Sequence, residues 1–586
     1  MLISVLLVLS SFAALAELEG PDGFQNAGAP FAGNTNWDTN WTGVADNAIS
    51  VGGLATGDVV KFYRVLEYDD DADKLVADAA ALTPSGTDYA AQGWKVAAAF
   101  TSGAGQVTLD DFKAILTTGI TADMAGRIAK NVTGTPTWQV EVKDTDNGVA
   151  TKTAPGAGLY VAIVTPAEAG VMYNPIFVAS DYYNSGSDPD KSSTWTPVTA
   201  PLSYADKAMA KKSEITITKT AEDLTDEVGA TSGAKNETDG AKAVGVGDTI
   251  AYAVDTTIPE FADNYLSPLF KITDTMTTGL ALVSGSVKVY TVDKTQNPAT
   301  ETEITSGFTT TENGTAGYTV DFAPTYLLGL TANTDIRVKY QATVTETAVT
   351  NVNKEENTVV LEYSHEPEVT HDGQKPGKKV KDKTHHYTWT IDGQIWGNSS
   401  WRTIETVKVG LDKEGNEITD VVEIQNGEEI GALAGAKFKL YTDKECEYEY
   451  TKGLYGTKQE IISDAKGYLN IKDSTGISGL DAGTYYLKET EAPAGYIKQQ
   501  AAVKIEIIPT YFGEEVSWVD ADGSTITCDD LLKSYIVKID DVQTAGYTIN
   551  YKNWNNDRTF IWMRPHPPSY SPAVPIALRF TIFPRR

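Results

Sequence analysis

Cysteine is almost missing: the 586-residue chain holds 2, Cys446 and Cys528, both in its last third. An oxidising compartment permits a disulfide between them, but two thiols cannot staple a chain this long. If the chain works outside the cell, something other than disulfides has to cross-link it. Histidine is scarce too; the 5 residues His365, His371, His385, His386 and His566 are scattered in linker-like or terminal sequence. No zinc-type Cys/His spacing occurs, so neither a metal, a cofactor nor a catalytic histidine is expected. Basic charge is outweighed, 48 Lys and Arg against 79 Asp and Glu; the net charge of -31 argues against nucleic acid and anionic membrane surfaces as partners. Long apolar runs are also lacking. Residues 2–16 form one, ending Ala14-Leu15-Ala16 before Glu17, too short to span a bilayer. It reads as a secretory leader (1–16) with a small-residue cleavage site, though no basic stretch precedes it.

What is present is Thr, Val, Gly and Tyr in short alternating runs, with 41% hydrophobic residues. The length suggests about three to five domains. The fold expected is mainly β: tandem immunoglobulin-like β-sandwich domains, the first carrying a few short helices. Residues 17–206 form that first domain. In it 59–66 and 159–164 read as strands, and Thr108 caps a helix bearing Leu109, Phe112 and Leu116 on one face. A second helix is expected over 121–131. The acidic run 67–73 lacks the glycine and terminal glutamate of a calcium loop and reads as solvated. Residues 213–364 form the second domain, 365–384 a Lys/Pro/Gly/His linker, 385–553 the third domain and 554–586 a Pro-rich tail.

Three strands of the second domain share a feature. Ile215, Ile217 and Lys219 lie on one face; so do Phe270, Ile272 and Asp274; so do Asn357, Val359, Leu361 and Tyr363. Each turns one polar side chain onto an apolar face, where it has to be satisfied. A lysine, an acid and an amide form a self-consistent set, either as a reactive trio or as a buried salt bridge with a hydrogen-bonded amide. The third domain repeats the pattern in the stretch Tyr485-Tyr486-Leu487-Lys488-Glu489-Thr490-Glu491-Ala492-Pro493-Ala494-Gly495-Tyr496. Alternation turns Glu489 inward beside Tyr485 and Leu487, so it needs a cationic partner or a proton. Tyr547, Ile549, Tyr551 and Asn553 share a face of the last strand, making Asn553 the inward amide.

The 485–496 wording resembles the E-box of B-type repeat domains in Gram-positive surface proteins, and Leu433 to Tyr441 carries a second phrase typical of them. The phrases Ile-Thr-Ile-Thr-Lys-Thr, Ile-Thr-Asp-Thr-Met and Asn-Thr-Val-Val-Leu-Glu-Tyr-Ser resemble the other isopeptide domain of fimbrial subunits. The chain thus resembles the backbone subunits of sortase-assembled Gram-positive pili. The resemblance implies spontaneous amide bonds between Lys219 and Asn357, promoted by Asp274, and between a third-domain lysine and Asn553, promoted by Glu489. Family position favours Lys408 as that lysine, whereas simple alternation with Val407, Val409 and Leu411 favours Lys413; Lys408 is preferred because Lys413 sits in a turn. A lysine at the junction before the second domain would be joined by sortase to the next subunit. Lys212, beside Lys211, is nearest that place, although the usual Tyr-Pro-Lys wording is absent.

The function this implies is a structural, adhesion-related pilus subunit on the cell surface. Its partners would be other pilin subunits, a pilus-specific sortase and a host or matrix ligand. The alternatives are a monomeric wall adhesin, which would need a ligand groove in 17–206, and an exported glycosidase, which would need paired carboxylates in an open cleft. Beyond Asn553 the chain departs from the family. Residues 558–586 lack the sorting motif Leu-Pro-x-Thr-Gly, and Arg579 interrupts the apolar run 573–583. The expectation is an altered reading frame after the third domain, with a secreted, unanchored form as the alternative.

Overall fold

A computed structural model of the chain describes residues 48–68, 90–91, 94–180, 207–224, 241–367, 375–391, 408, 421–424, 428–431, 434–450, 460–464, 469–471, 476–512, 516–519 and 525–548, apart from 104, 118, 131, 133–134, 154–157, 263–264, 266, 350–352 and 494–495. The leader, the tail, Lys413 and Asn553 lie outside the described residues, as does most of the acidic run 67–73.

In the first domain, strands Val59–Tyr68 and Gly158–Thr165 pair antiparallel at the centre of a six-stranded sheet. The second of these is apolar at consecutive positions, as a strand covered on both faces has to be. Leu159, Val161 and Ile163 pack against Phe112, Ile115, Ala125 and Ile128 of the helices Leu109–Thr117 and Ala122–Ala129. Tyr160, Ala162 and Val164 pack on the other side against Ile49 and Val51 of Ala48–Gly52. The domain therefore has helices on one face and a small sheet on the other. Thr108 caps its helix as expected: Oγ1 accepts from Asp111 N at 3.1 Å, and Asp111 Oδ2 accepts from Thr108 N at 2.8 Å.

The second domain is a sandwich of two antiparallel sheets. One runs Ile217–Asp223, Thr249–Ile258, Thr334–Val344, Lys288–Asp293, Thr300–Ile304; the other runs Phe308–Glu312, Gly317–Phe322, Phe270–Met276, Glu355–Tyr363, Lys378–His386. Burial alternates strictly along Thr249–Ile258 and Glu355–Tyr363, so the inward half of each strand meets the facing sheet.

The last of these strands corrects the expectation of a linker over 365–384. Residues 378–384 are not linker: Lys378–His386 pairs with Glu355–Tyr363 over its full length, Glu355 opposite His386 and Tyr363 opposite Lys378. Its lysines and aspartate hid it, because an edge strand need not be apolar. The pairing buries His385 and His386, each 1% exposed, so these two are core residues rather than linker ornaments.

In the third domain a seven-stranded sheet runs Leu469–Ile471, Ile461–Ser463, Lys437–Tyr441, Gly483–Glu491, Val503–Tyr511, Leu532–Ile539, Val542–Thr548. Trp389–Ile391 opens the domain as expected and pairs with Ile477–Leu480. The second and third domains interlock at Tyr387: Val244 N donates to Tyr387 O at 3.0 Å, and Leu532 N to the Tyr387 hydroxyl at 3.1 Å. The first domain is joined to the second through the pairing of Lys212–Glu214 with Val171–Tyr173 and by Gly170 N donating to Tyr363 OH at 2.6 Å.

Candidate functional site

Lys219 sits on an outer strand of one second-domain sheet, where alternation buries it with Ile217. The facing sheet supplies Asp274 and Asn357 from neighbouring strands, Asp274 opposite Val359 and Met276 opposite Asn357. Lys219 is 6% exposed, Asp274 1% and Asn357 0%. The structure thus brings all three expected residues into one dry interior.

The Lys219 Nζ lies 2.5 Å from Asp274 Oδ2. The same oxygen accepts from the Tyr340 hydroxyl at 2.7 Å, and Asn357 Nδ2 donates to that hydroxyl at 3.0 Å. The ammonium also lies 5.1 Å from the Tyr252 ring centre and 5.5 Å from that of Tyr340. Asp274 Oδ1 and Asn357 Oδ1 accept no hydrogen bond among the described residues. Burial lowers Lys219 to about 8, against the pull of the Asp274 charge. Burial likewise raises Asp274, against the pull of Lys219. The two shifts converge, so moving a proton from ammonium to carboxylate costs far less here than in water. The result would be a neutral, nucleophilic amine next to a protonated acid.

A second lysine–acid pair occupies the third domain. Gly483–Glu491 alternates as its sequence requires, burying Tyr485, Leu487 and Glu489. The Lys408 Nζ lies 3.1 Å from Glu489 Oε1, both side chains fully buried, a close contact made off the hydrogen-bonding axis. Glu489 Oε2 accepts from Gln499 N at 2.7 Å, and the Phe438 ring lies 5.9 Å from the ammonium. Burial pulls Lys408 down to about 8, with Glu489 opposing. Lys408 thus meets Glu489, while the alternative lysine, Lys413, lies outside the described residues.

Lys211 and Lys212 are both exposed, at the junction of the first two domains. Cys446 is a free thiol, so the disulfide that the sequence permitted is not formed. It lies in the turn after Lys437–Tyr441, its Sγ 3.7 Å from Lys444 O, while Cys528 ends a separate hairpin, Val516–Val519 with Thr525–Cys528.

Sequence patterning missed Tyr252, Tyr340 and His386. Tyrosine at an inward strand position reads as core, and only the register reveals the pair: Tyr252 stands opposite Tyr340, rings stacked at 4.9 Å. His386 Nε2 lies 2.9 Å from Tyr252 OH, and its Nδ1 2.7 Å from Ala241 O. Asp223, Asp248 and Asp481 were also missed; their buried carboxylates converge within 4.8 Å at the seam of the second and third domains. Asp248 there accepts from Gly245 N and Asp481 from Ala482 N, both at 2.6 Å, as turn-capping carboxylates do.

Residues 246–367 match the family described as Gram-positive pilin backbone subunit 2, Cna-B-like domain, and residues 421–522 the SpaA prealbumin-like fold domain. The Trypsin-resistant surface T6 protein of Streptococcus pyogenes serotype M6 is 23% identical over 407 residues, 65% of this chain and 71% of that protein. Among solved structures, the T6 backbone pilin of serotype M6 S. pyogenes is similar at 18% identity and TM-score 0.49, covering 82% of this chain and 88% of that one. The major pilin SpaA of Corynebacterium diphtheriae is similar at 17% identity and TM-score 0.38, covering 82% and 97%.

Proposed function

We propose that this chain is a structural subunit of a Gram-positive pilus and that two of its domains stabilise themselves by intramolecular Lys–Asn bonds. The observation that carries this reading is the dry constellation of Lys219, Asp274, Tyr340 and Asn357. Its chemistry follows from burial. The ammonium passes a proton to Asp274, and the neutral Nζ of Lys219 attacks Cγ of Asn357. The Nζ–Cγ bond forms, the Cγ–Nδ2 bond breaks, and ammonia leaves. Strands of two packed sheets hold the reactants together, which supplies the effective concentration of an intramolecular reaction. Each domain reacts once, so the protein is its own substrate and not a turnover enzyme. In the third domain Lys408 is the nucleophile and Glu489 the acid; Asn553 is the amide by its place in the sequence pattern.

A bridge from Lys219 to Asn357 ties an outer strand of one sheet to the other sheet, so the sandwich cannot be peeled open from its ends. By analogy with a disulfide closing a loop this long, the constraint on the unfolded chain is worth about 4–5 kcal/mol. Such domains suit a load-bearing shaft outside the cell. Polymerisation would use Lys212 or Lys211, whose side chains are exposed to an approaching sortase.

The deciding experiment is the intact mass of the purified, denatured protein with peptide mapping. A deficit of two ammonia masses is expected, with Lys219 joined to Asn357 and Lys408 to Asn553. A mass equal to the unmodified sequence would reduce both constellations to buried salt bridges.

A further inference from the structure

We propose that Tyr340 is a catalytic proton relay, carrying a proton from Asp274 to the departing nitrogen of Asn357. The inference rests on the cross-linking reading of the same site and adds the part that reading leaves open. A carboxyl group that takes the proton from the attacking amine has to return it to the leaving group. Yet Asn357 Nδ2 is not hydrogen-bonded to Asp274; it meets Tyr340, and Tyr340 meets Asp274.

The donor and acceptor count fixes the orientation. The Tyr340 O–H donates to Asp274 Oδ2, so its lone pair faces Asn357, and the amide has to present its NH₂ end there. A second phenol, Tyr252, stacks on Tyr340 and is held by His386. His386 Nδ1 lies 2.7 Å from Ala241 O, a pure acceptor, so Nδ1 carries the hydrogen and Nε2 accepts. Tyr252, 2.9 Å from Nε2, therefore donates its hydroxyl hydrogen to His386, which Thr384 Oγ1 also approaches at 3.2 Å. The leaving NH₂ thus sits against the Tyr340 oxygen.

The proton balance closes without any further reactant. Once Lys219 Nζ has added to Cγ, Nδ2 becomes an amine with a free lone pair. Tyr340 gives its phenolic hydrogen to Nδ2 and takes one from protonated Asp274; Asp274 takes one from Nζ. Cγ–Nδ2 then breaks and one ammonia departs; Tyr340 ends as it began, and Asp274 ends protonated, keeping the proton the Lys219 ammonium first gave it. Burial keeps the Tyr340 phenol protonated, as a relay requires and a base would not.

The test is a pulse–chase of the full chain made by cell-free synthesis, quenched in acid denaturant and mapped for the Lys219–Asn357 peptide pair. Tyr340→Phe should form the bond roughly 100-fold or more slowly than the natural chain, the scale of one general acid–base contact. Tyr318→Phe is the matched control, since the Tyr318 hydroxyl is buried beside Tyr340 and has no hydrogen-bond partner among the described residues. It should leave the rate unchanged. Equal rates for the natural chain and Tyr340→Phe would overturn the relay while leaving the cross-link in place. No cross-link in the natural chain would overturn both. If Tyr340→Phe lacks a native circular dichroism spectrum, the natural chain in heavy water decides: slower bond formation is expected, and an unchanged rate overturns the relay.

Discussion

The second and third domains each bury a lysine against an acid, yet they satisfy the acid in different ways. Asp274 shares its Oδ2 between Lys219 and a tyrosine that itself holds the amide, so every polar group nearby comes from a strand of the sandwich. Glu489 has Lys408 at 3.1 Å on one oxygen and the backbone of Gln499 at 2.7 Å on the other. The first acid is held by side chains of the facing sheet, the second by the chain that follows its own strand. Both lysines nonetheless fall to about 8, because burial dominates in each and the partner charge only opposes it. Lysine tuning is therefore common to the two sites, while handling of the leaving amide is a separate matter of local architecture.

The strongest way to break this comparison is to remove each acid in turn. Asp274→Ala should abolish the Lys219–Asn357 bond and leave the third-domain bond intact; Glu489→Ala should do the reverse. Each loss removes about 4–5 kcal/mol of loop closure from its own domain. It should appear as one ammonia mass regained and a separate, lower calorimetric transition. Loss of both bonds in either variant would show that the domains do not react independently.

Acid should distinguish the sites next. Burial holds His386 down to about 4. The folded chain keeps it neutral, and the unfolded chain takes up the proton near its ordinary 6.5. The stability this group confers is therefore complete above pH 6.5 and is lost as pH falls toward 4, by about 3 kcal/mol at most. Urea titrations across that window should show the slope in the second domain and a flattened one in His386→Gln. A slope unaltered by that substitution would assign it to other groups.

Smaller still is the effect of Gln499→Pro, which deletes the main-chain donor to Glu489. It should cost roughly 2 kcal/mol in the third domain alone, read from its urea midpoint, with the Lys219–Asn357 peptide unchanged. The least effect on stability belongs to Lys211→Ala and Lys212→Ala, within about 0.5 kcal/mol because both are exposed. One of them should nevertheless stop sortase-dependent polymer from forming on a gel. Unaltered polymer in the double variant would move the junction lysine elsewhere.

Much of the site is legible in the order of residues. Period-two alternation alone puts Lys219, Asp274 and Asn357 on inward faces, and Glu489 beside Tyr485 and Leu487. Alternation is local, fixed by the pleat of a single strand, so it survives without knowledge of neighbours. Strand Lys378–His386 fails the same test because its residues follow no apolar rhythm; its pairing with Glu355–Tyr363 is a property of the partner. The layering of the first domain, helices on one side of Gly158–Thr165 and a small sheet on the other, is hidden for a related reason. A continuous apolar strand says that both faces are covered but not by what.

The sequence by itself determined which side chains turn inward and that charge and amide would meet in a dry interior, since both follow from strand geometry and the cost of burying polarity. Register and sheet packing decided the rest. They set Tyr252 against Tyr340, brought His386 against Tyr252, and placed a phenol rather than the carboxylate against the Asn357 nitrogen. Those contacts join residues far apart in the chain, such as Tyr252 and His386, and no local pattern records them because the hydrogen bond is made across the fold and not along the chain.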